Sequence, residues 1–306
     1  MEDQKINILI PENLAILEPD DKLLDIIDAK EFNDEVLFQV ESGFHDISVV
    51  ENEIGRFLHY GETYQAGFIK TDFYKGNLPY INYFLIPYLL KQNVKSILLI
   101  GMGTGKIIKD FEFLYDGLER IDVVDIEENI VSIASEYFGF DPSDKFNFYL
   151  QDGRIFLRES KKKYDLIVVD VANNEGIDGR FLENSYFEEI KKCLKKGGIF
   201  VSNLCASPQF EHPKNSFIRE IVAKYLSFFK NLEIFKGDYS DKVYYKSFFG
   251  LDQRVIDTTN VILIASDSPL FSPKPSAAGK SAEKKVAELG IDINLYLADR
   301  IKNISL

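Results

Sequence analysis

The chain has 306 residues, of which 45% are hydrophobic and 13% aromatic, enough for a sizeable core in one large domain or two ordinary ones. Its formal net charge of −13 disfavours nucleic-acid binding, because an acidic surface repels phosphates. The same charge suits a cationic substrate, although many acidic proteins use such a surface only to stay in solution.

Cysteine content and hydropathy indicate the cellular compartment in which the protein is expected. The two cysteines, Cys193 and Cys205, form neither a disulfide framework nor a zinc site. No apolar run approaches the about 20 residues of a membrane span, so no membrane association is predicted. The N-terminal stretch is acidic and has no signal-peptide n-region. Together these features predict a cytoplasmic protein with reduced thiols and no bound metal.

The pattern of apolar residues divides the chain into two parts. Residues 36–71 carry short β-branched and aromatic runs separated by glycine and polar positions, which predicts a small antiparallel β-unit. After about residue 78, continuous apolar runs such as "SILLIG" (96–101) alternate with amphipathic helices, which predicts a mostly parallel, doubly wound α/β sheet. We therefore expect an N-terminal β-domain over 1–77 and a Rossmann-like domain over 78–306. The Pro/Ser/Lys-rich stretch 267–285 is expected to be a loop of unassigned role.

A glycine-rich turn follows the first apolar strand. Gly101, Gly103 and Gly105 alternate in "GMGTG". A P-loop is excluded, because Ile100 stands at its first glycine and Ile107 at its Ser/Thr position. The dinucleotide fingerprint is also excluded, because Lys106 replaces its third glycine. Such a turn lets the backbone approach a ligand closely, but a tight strand-to-helix connection without a ligand would need the same glycines.

Two acids at predicted strand ends favour a ligand. Asp125 ends the second strand, where a carboxylate can accept hydrogen bonds from both ribose hydroxyls. Asp152, followed by Gly153, ends the third strand and can accept from an adenine amino group. Each acid could instead cap a helix. Because no phosphate motif is present, the three features together predict an adenosine joined to something other than pyrophosphate, such as an S-adenosyl sulfonium.

Four segments resemble the polyamine aminopropyltransferases, a family typified by spermidine synthase. They are "ILLIGMGTG", "VVDIEENIVSIASEYF", "QDGRIFL" and the run from "YDLIVVD" to "GGIFV". They are similar to the family's glycine turn, its V-[ED]-I-D strand end, its D-G-R-x-F-L segment and its Y-D-x-I-x-x-D loop. The resemblance covers about residues 96–204. It extends more weakly to "ESGFHDISVVE" and "GRFLHYGETYQAG".

The resemblance implies a fold, a ligand and a set of site residues. The fold is a class I methyltransferase-like Rossmann domain behind a small N-terminal antiparallel β-domain. The ligand is decarboxylated S-adenosylmethionine or its relative S-adenosylmethionine. By matching position, Asp125 would hold the ribose, Asp152 the adenine, and Asp170 would be the catalytic aspartate. Tyr80, also in the implied catalytic set, matches the tyrosine of the family's Y-[HQ]-E segment. The implied nucleoside-binding set is Gln65, Gly101, Gly103, Thr104, Gly105, Asp125, Ile126, Asp152 and Gly153, and the implied substrate set is His45, Tyr80 and Asn173.

The chemistry asks for a base. A sulfonium already carries a good leaving group. An alkylamine, whose protonated form has a pKa of about 10, must lose its proton before it can attack. A carboxylate within hydrogen-bond reach can take that proton and orient the lone pair. Asp170 is the candidate, and the competing interpretation is that it merely caps a strand end.

The chain departs from the family pattern at four positions. Thr104 replaces an aspartate that holds the ammonium end of the aminopropyl arm, a contact typically worth about 1.5–3 kcal/mol. Asn173 replaces the second acid of the D-x-x-D loop. Asn82 stands where glutamate is expected, and no histidine occurs near residue 86. His45 replaces a glutamine. All four changes are expected at the substrate end of the site rather than at the adenosine end.

Three hypotheses follow. The first is an aminopropyltransferase-like enzyme acting on a polyamine or another small amine. The second, motivated by Thr104 and Asn173, is an S-adenosylmethionine-dependent methyltransferase on the same scaffold. The third is a non-catalytic relative that retains the nucleoside pocket. The resemblance also implies assembly into a homodimer or homotetramer, and it implies no nucleic-acid partner.

Overall fold

The structure is a computed structural model of the whole chain. It describes residues 34–52, 55–61, 63–69, 79–171, 179–206, 216–236, 259–270 and 277–301.

The N-terminal region forms a four-stranded antiparallel sheet, as the alternation over 36–71 predicts. Its strands follow one another in space in chain order. They are β1 (Glu35–Glu41), β2 (Asp46–Glu51), β3 (Gly55–Tyr60) and β4 (Thr63–Ile69). Ile47, Val49 and Leu58 are fully buried on the side that faces the rest of the molecule.

The remaining strands form a seven-stranded sheet. They are β5 (Ser96–Ile100), β6 (Arg120–Asp125), β7 (Phe146–Leu150), β8 (Tyr164–Val169), β9 (Leu194–Ala206), β10 (Asn231–Lys236) and β11 (Thr259–Ser266). Their spatial order is β10-β11-β9-β8-β5-β6-β7. The pairs from β9 to β7 are all parallel, and β11 lies antiparallel to both of its neighbours. This confirms the predicted mostly parallel, methyltransferase-like sheet.

The sheet order creates a switch point at β5. The chain crosses from β5 to β6 and β7 on one side, and to β8 and β9 on the other. Ligands of doubly wound sheets bind beyond the carboxyl ends of the strands at such a point. The loops after β5, β6, β7 and β8 therefore border the candidate site.

Helices cover both faces of the large sheet. They are α1 (Ile86–Leu90), α2 (Lys106–Leu114), α3 (Ile130–Phe138), α4 (Gly153–Glu159), α5 (Asn184–Cys193), α6 (Ser216–Phe228), α7 (Ala277–Ala287) and α8 (Ile293–Ala298), with a 3-10 segment at Pro79–Leu85 before α1. All five residues of β5 are buried, and 97–100 alternate between the two hydrophobic cores, as this apolar run predicts. Every helix in the described ranges is too short or too polar to span a lipid bilayer.

The small sheet shares a core with one face of the large sheet. Ile47, Val49 and Leu58 belong to the same buried cluster as Ile97 and Leu99 of β5. The boundary predicted at residues 77 and 78 falls within 70–78, outside the described residues, so the two-domain division stays a prediction.

The predicted loop over 267–285 is wrong for its second half. Residues 277–287 form α7, and Ala282 and Val286 are buried four positions apart on one face of that helix. The sequence "AAGKSAEKKVA" is rich in alanine, lysine and glutamate, which are strong helix formers. The last proline of the stretch is Pro275, and the helix begins two residues later at Ala277.

Candidate active site

The glycine turn after β5 is shaped by its neighbours. Gly101, Gly103 and Gly105 all have positive φ, at 92°, 53° and 76°. A Cβ on Gly101 would overlap the main-chain carbonyl oxygen of Asp170, so the turn and the end of β8 lie in direct contact. A Cβ on Gly105 would lie 2.6 Å from the Phe140 ring. Packing alone therefore requires two of the glycines, and the turn brings the ends of β5 and β8 together.

Asp125 ends β6 beside this turn. Its Oδ2 accepts a hydrogen bond from the Met102 main-chain N–H at 2.8 Å, and its Oδ1 accepts from the Glu127 N–H at 3.0 Å. Burial raises the pKa of Asp125, and these two N–H groups hold back part of the rise. Each oxygen keeps a further acceptor position, which two ribose hydroxyls could use. Ile126, the adjoining residue of the predicted set, is half-buried.

Asp152 caps α4. Its Oδ1 accepts from the N–H groups of Arg154 at 2.8 Å and Ile155 at 3.0 Å, as a helix N-cap does. Its Oδ2 accepts from Arg180 at 3.0 Å. Burial acts to raise the pKa of Asp152, but the Ile155 N–H and Arg180 lower it more, so the net pKa lies below the ordinary value. The capping interpretation is therefore confirmed, and a second role toward adenine stays a prediction.

Gly153 brings this cap close to the sheet. A Cβ at this position would collide with the Ile100 side chain at the end of β5. The glycine thus lets α4 begin directly against the glycine turn. Asp125, Asp152 and the turn accordingly lie along one edge of the sheet, as their positions in the sequence predict.

Asp170 follows β8 at the switch point. The Asn203 side-chain N–H donates to its Oδ1 at 3.0 Å, and the Tyr80 hydroxyl donates to its Oδ2 at 3.3 Å. Burial raises the pKa of Asp170 to about 6, while the Asn203 and Tyr80 hydrogen bonds act in the opposite direction. A carboxylate with this pKa is ionised at neutral pH and is a better proton acceptor than an ordinary aspartate.

Tyr80 approaches Asp170 from the 3-10 segment. Its hydroxyl also lies 3.4 Å from the main-chain carbonyl oxygen of Gln65 in β4. Its ring packs edge-on against Phe84, with the ring centroids 6.2 Å apart. The structure thus brings together Tyr80 and Asp170, the two residues predicted to be catalytic. Gln65 also lies at this end of the site, although its contact here is through the main chain, and a side-chain contact with the nucleoside stays a prediction.

Thr104 lies inside the glycine turn and is 6% exposed. Its side chain is neutral and buried, so this position of the turn carries no charge. The Asn173 prediction lies outside the described residues, since 172–178 are not described.

His45 lies in the turn between β1 and β2, beside the end of β6. Its Nδ1 lies 2.5 Å from Oε1 of Glu127, and its ring stacks on Tyr60 at 4.4 Å. Glu127 is only two residues after Asp125, so His45 borders the ribose end, at β6. The β1–β2 turn, including Ser42, packs over the end of β6, and the role of His45 toward the amine stays a prediction.

Two site residues were missed in the sequence. Glu127 is 1% exposed and receives both His45 and the Ser42 hydroxyl. It occupies the last position of the V-[ED]-I-D pattern in "VDIE", so the motif could have revealed it. Asn203 gives no local signal, because it lies within β9 and meets Asp170 only through the pairing of β8 with β9. No group of three or more metal-binding side chains occurs in the part of the chain that the structure describes.

Comparisons with known proteins agree with this geometry. A family model described as the spermine/spermidine synthase domain matches residues 84–248, more than half of the chain. Polyamine aminopropyltransferases of Clostridium beijerinckii and Clostridium botulinum are 28% and 27% identical over 156 and 210 residues. These matches cover 50% and 67% of this chain and 54% and 71% of the relatives. The chain thus spans about half the length of the first relative.

Solved structures agree on the fold. A spermidine synthase in complex with the transition state analogue AdoDATO has a TM-score of 0.62 at 16% identity, covering 86% of this chain and 84% of that one. Spermidine synthase from Thermotoga maritima has a TM-score of 0.61 at 15% identity, covering 86% and 83%. The structural likeness supports the architecture, the family match extends over more than half of the sequence, and the chain therefore belongs to the spermine/spermidine synthase family.

Proposed function

We propose that this protein is an aminopropyltransferase that moves the aminopropyl group of decarboxylated S-adenosylmethionine to a small amine. The observation that carries the proposal is the Asp170 carboxylate, held by Tyr80 and Asn203 at the switch point, with a pKa of about 6. Family membership and the polyamine aminopropyltransferase relatives support the same reaction.

The reaction is a single displacement. The amine nitrogen lone pair attacks the aminopropyl carbon bonded to sulfur, and a new C–N bond forms as the C–S bond breaks. The bonding electrons return to sulfur, which leaves as neutral methylthioadenosine. The amine must shed one proton overall, and Asp170 is the group proposed to accept it, orienting the nitrogen through the same hydrogen bond.

The nucleoside would be held at the β6–β7 side of the switch point. Asp125 would accept the ribose hydroxyls, because its oxygens face the turn and keep free acceptor positions. Asp152 would accept the adenine amino group beside its bond to Arg180. Both roles extend the observed carboxylate positions by the chemistry of the ligand, and the net charge of −13 favours a cationic amine as acceptor.

A specific observation keeps methyl transfer as a second candidate. Thr104 offers no carboxylate to the ammonium of the aminopropyl arm, and it would not repel the carboxylate of intact S-adenosylmethionine. Both reactions would break a C–S bond of a sulfonium centre and would use the same base. The two candidates differ in their products, since methyl transfer releases S-adenosylhomocysteine.

The test is a product assay on the purified full chain. The protein is incubated with decarboxylated S-adenosylmethionine and, separately, with S-adenosylmethionine, each against a panel of linear diamines and triamines. Mass spectrometry detects the alkylated amine together with methylthioadenosine or S-adenosylhomocysteine. Stoichiometric methylthioadenosine and an aminopropylated amine support the proposal. S-adenosylhomocysteine with a methylated amine would replace it with the second candidate, and nucleoside binding without either product would refute both.

Assembly into a homodimer or homotetramer is part of the proposal only through the family resemblance. Light scattering on the eluting protein during size-exclusion chromatography measures the mass directly. A single-chain mass of 35.1 kDa would refute it.

A further inference from the structure

The segment after α7 contacts the part of the chain that carries Tyr80. We propose that residues 292–301, here called the brace, position Tyr80 against Asp170 through Tyr296 and Asp299. This inference rests on the proposed function in one respect, since it takes Asp170 to be the base and the Tyr80 hydroxyl to be its hydrogen-bond donor.

The brace forms hydrogen bonds with two adjacent residues of the 3-10 segment. The Asn82 side-chain N–H donates to the Tyr296 hydroxyl oxygen at 2.7 Å, and the Tyr83 hydroxyl donates to Asp299. The Tyr83 and Tyr296 rings also pack edge to face, with centroids 5.0 Å apart and planes at 87°. Tyr83 is fully buried and Tyr296 is 4% exposed, so these contacts are sheltered from water.

The brace is itself fixed to the edge of the large sheet. Arg300 binds both carboxylate oxygens of Glu233 in β10, at 2.5 and 2.6 Å. The Ile301 N–H donates to the Ile234 carbonyl at 2.9 Å, and the Lys236 N–H donates to the Asp299 carbonyl at 3.2 Å. The brace thus continues the sheet edge by a few residues, and a bidentate ion pair fixes its position.

The position of Tyr80 depends on these contacts between the brace and the 3-10 segment. Tyr80 and Tyr83 lie three residues apart in the same seven-residue 3-10 segment, so they share one side of it. A 3-10 segment has weaker internal hydrogen bonds than an α-helix, so contacts with the rest of the protein decide its placement. The Tyr80 hydroxyl reaches Asp170 at 3.3 Å, near the outer limit of a hydrogen bond, and a small displacement of the segment would break it.

The brace also gives a physical reason for Asn82. The sequence departs from the family pattern here by placing an amide where a glutamate is expected. The Asn82 amide N–H donates to the phenol oxygen of Tyr296, so the side chain at this departure contacts the brace. The departure therefore fits a structural link to the brace rather than a contact with the amine.

The first measurement needs no turnover. Tyr296→Phe removes the hydroxyl that accepts from Asn82 and keeps the ring that packs on Tyr83. Tyr225→Phe is the matched control, because it removes a buried hydroxyl bonded to Ser202 within the other hydrophobic core. Hydrogen–deuterium exchange over 79–85 should be at least about threefold faster in Tyr296→Phe than in wild type, as expected for one lost hydrogen bond, and unchanged in the control. Equal exchange in both variants would overturn the brace.

The second measurement separates positioning from general stability. In Tyr296→Phe, kcat/KM for the amine should fall by about 3- to 10-fold, while the dissociation constant of methylthioadenosine changes by less than about twofold. The acid limb of the pH profile should move to higher pH, because a weakened Tyr80 bond no longer favours the charged form of Asp170. Of the described groups packed on Asp170, Tyr80 is titratable and Asn203 is the neutral donor.

Two further variants close the test. Asn82→Asp lets the Tyr296 hydroxyl donate to a carboxylate and should retain most of the wild-type rate, whereas Asn82→Leu should lose as much as Tyr296→Phe. The double variant Asn82→Leu, Tyr296→Phe should lose no more than either alone. Additive losses, or an unmoved pH profile, would overturn the proposal. If the wild-type protein forms no product, the proposed function is refuted. Hydrogen–deuterium exchange would then still test whether the brace holds the 3-10 segment in place.

Discussion

Asp152 and Asp170 stand at the same edge of one sheet, yet their surroundings give them opposite properties. Asp152 accepts two main-chain N–H bonds and one bond from Arg180, and its pKa lies below the ordinary value. Asp170 is held by two neutral side chains in a more buried place, and its pKa rises to about 6. The first is a permanently charged acceptor, and the second can exchange a proton near neutrality.

The contrast extends to the two ends of the site. At the nucleoside end, Asp125 and Asp152 are fixed mainly by backbone N–H groups, which any sequence would supply at those turns. At the amine end, Asp170 is positioned by side chains from β9 and the 3-10 segment. If the proposed site is correct, a change of side chain around Asp170 should alter the chemistry without disturbing nucleoside binding at Asp125 and Asp152.

The sharpest test of this contrast is Asp170→Asn. The amide has the same shape but cannot accept the amine proton, so turnover should fall by about 10²- to 10⁴-fold. Nucleoside affinity should change by less than about twofold, and the unfolding temperature at pH 8 should not fall, because burial disfavours the charged form that the substitution removes. Product assay, calorimetry and thermal unfolding measure the three effects, with exposed Asp144→Asn as control. Turnover within about threefold of wild type would remove Asp170 from the mechanism.

At the nucleoside end, Asp125→Asn should act on binding instead. Main-chain N–H groups face both oxygens of Asp125, so an amide N–H₂ must confront one of them and loosen the glycine turn. Affinity for methylthioadenosine and for both sulfonium ligands should fall together by about 10- to 100-fold. Titration calorimetry measures it. A loss confined to one ligand would mean that Asp125 contacts the transferable arm rather than the ribose.

Thr104 lies between the two ends and should decide which sulfonium is preferred. Thr104→Asp restores a carboxylate for an ammonium group, so the affinity ratio of decarboxylated to intact S-adenosylmethionine should rise by about tenfold or more. The matched control is Thr104→Asn, which adds similar bulk without charge. Equal ratios in the aspartate and asparagine variants would contradict a charge effect at this position.

The pH profile tests the raised pKa of Asp170. Because the base works only when deprotonated, kcat/KM should fall about tenfold per pH unit below a midpoint near 6. Tyr80→Phe removes a hydrogen bond that favours the charged carboxylate, so the midpoint should move to higher pH and the rate at pH 7 should fall by a few fold. A midpoint near 4, as in an ordinary aspartate, would show that burial does not control this group.

Sequence patterns predicted the parts of the molecule that depend on local order. The continuous apolar run of β5, the glycine turn, and the acids ending β6 and following β8 all lie where their motifs place them. Contacts between distant segments could not be predicted in the same way. Asn203 meets Asp170 through strand pairing, and His45 meets Glu127 through the packing of the small sheet on the large one. The proline and serine residues of 267–285 masked the helix-forming stretch that begins at Ala277.

The ion pair between Arg180 and Asp152 also joins distant segments of the chain. Its removal should have the smallest effect of the substitutions considered. The Arg180 side chain is 55% exposed and pairs with Asp152 Oδ2, so the ion pair is weak and the two main-chain N–H bonds keep Asp152 in place without it. If Oδ2 also accepts the adenine amino group, Arg180 competes for the same oxygen. Arg180→Gln should then leave methylthioadenosine affinity unchanged or tighten it by up to about fivefold, whereas Arg158→Gln, on the exposed side of α4, should do nothing. A clear loss of affinity in Arg180→Gln would mean that the arginine itself binds the nucleoside, and that the charge of Asp152 serves to hold Arg180 there.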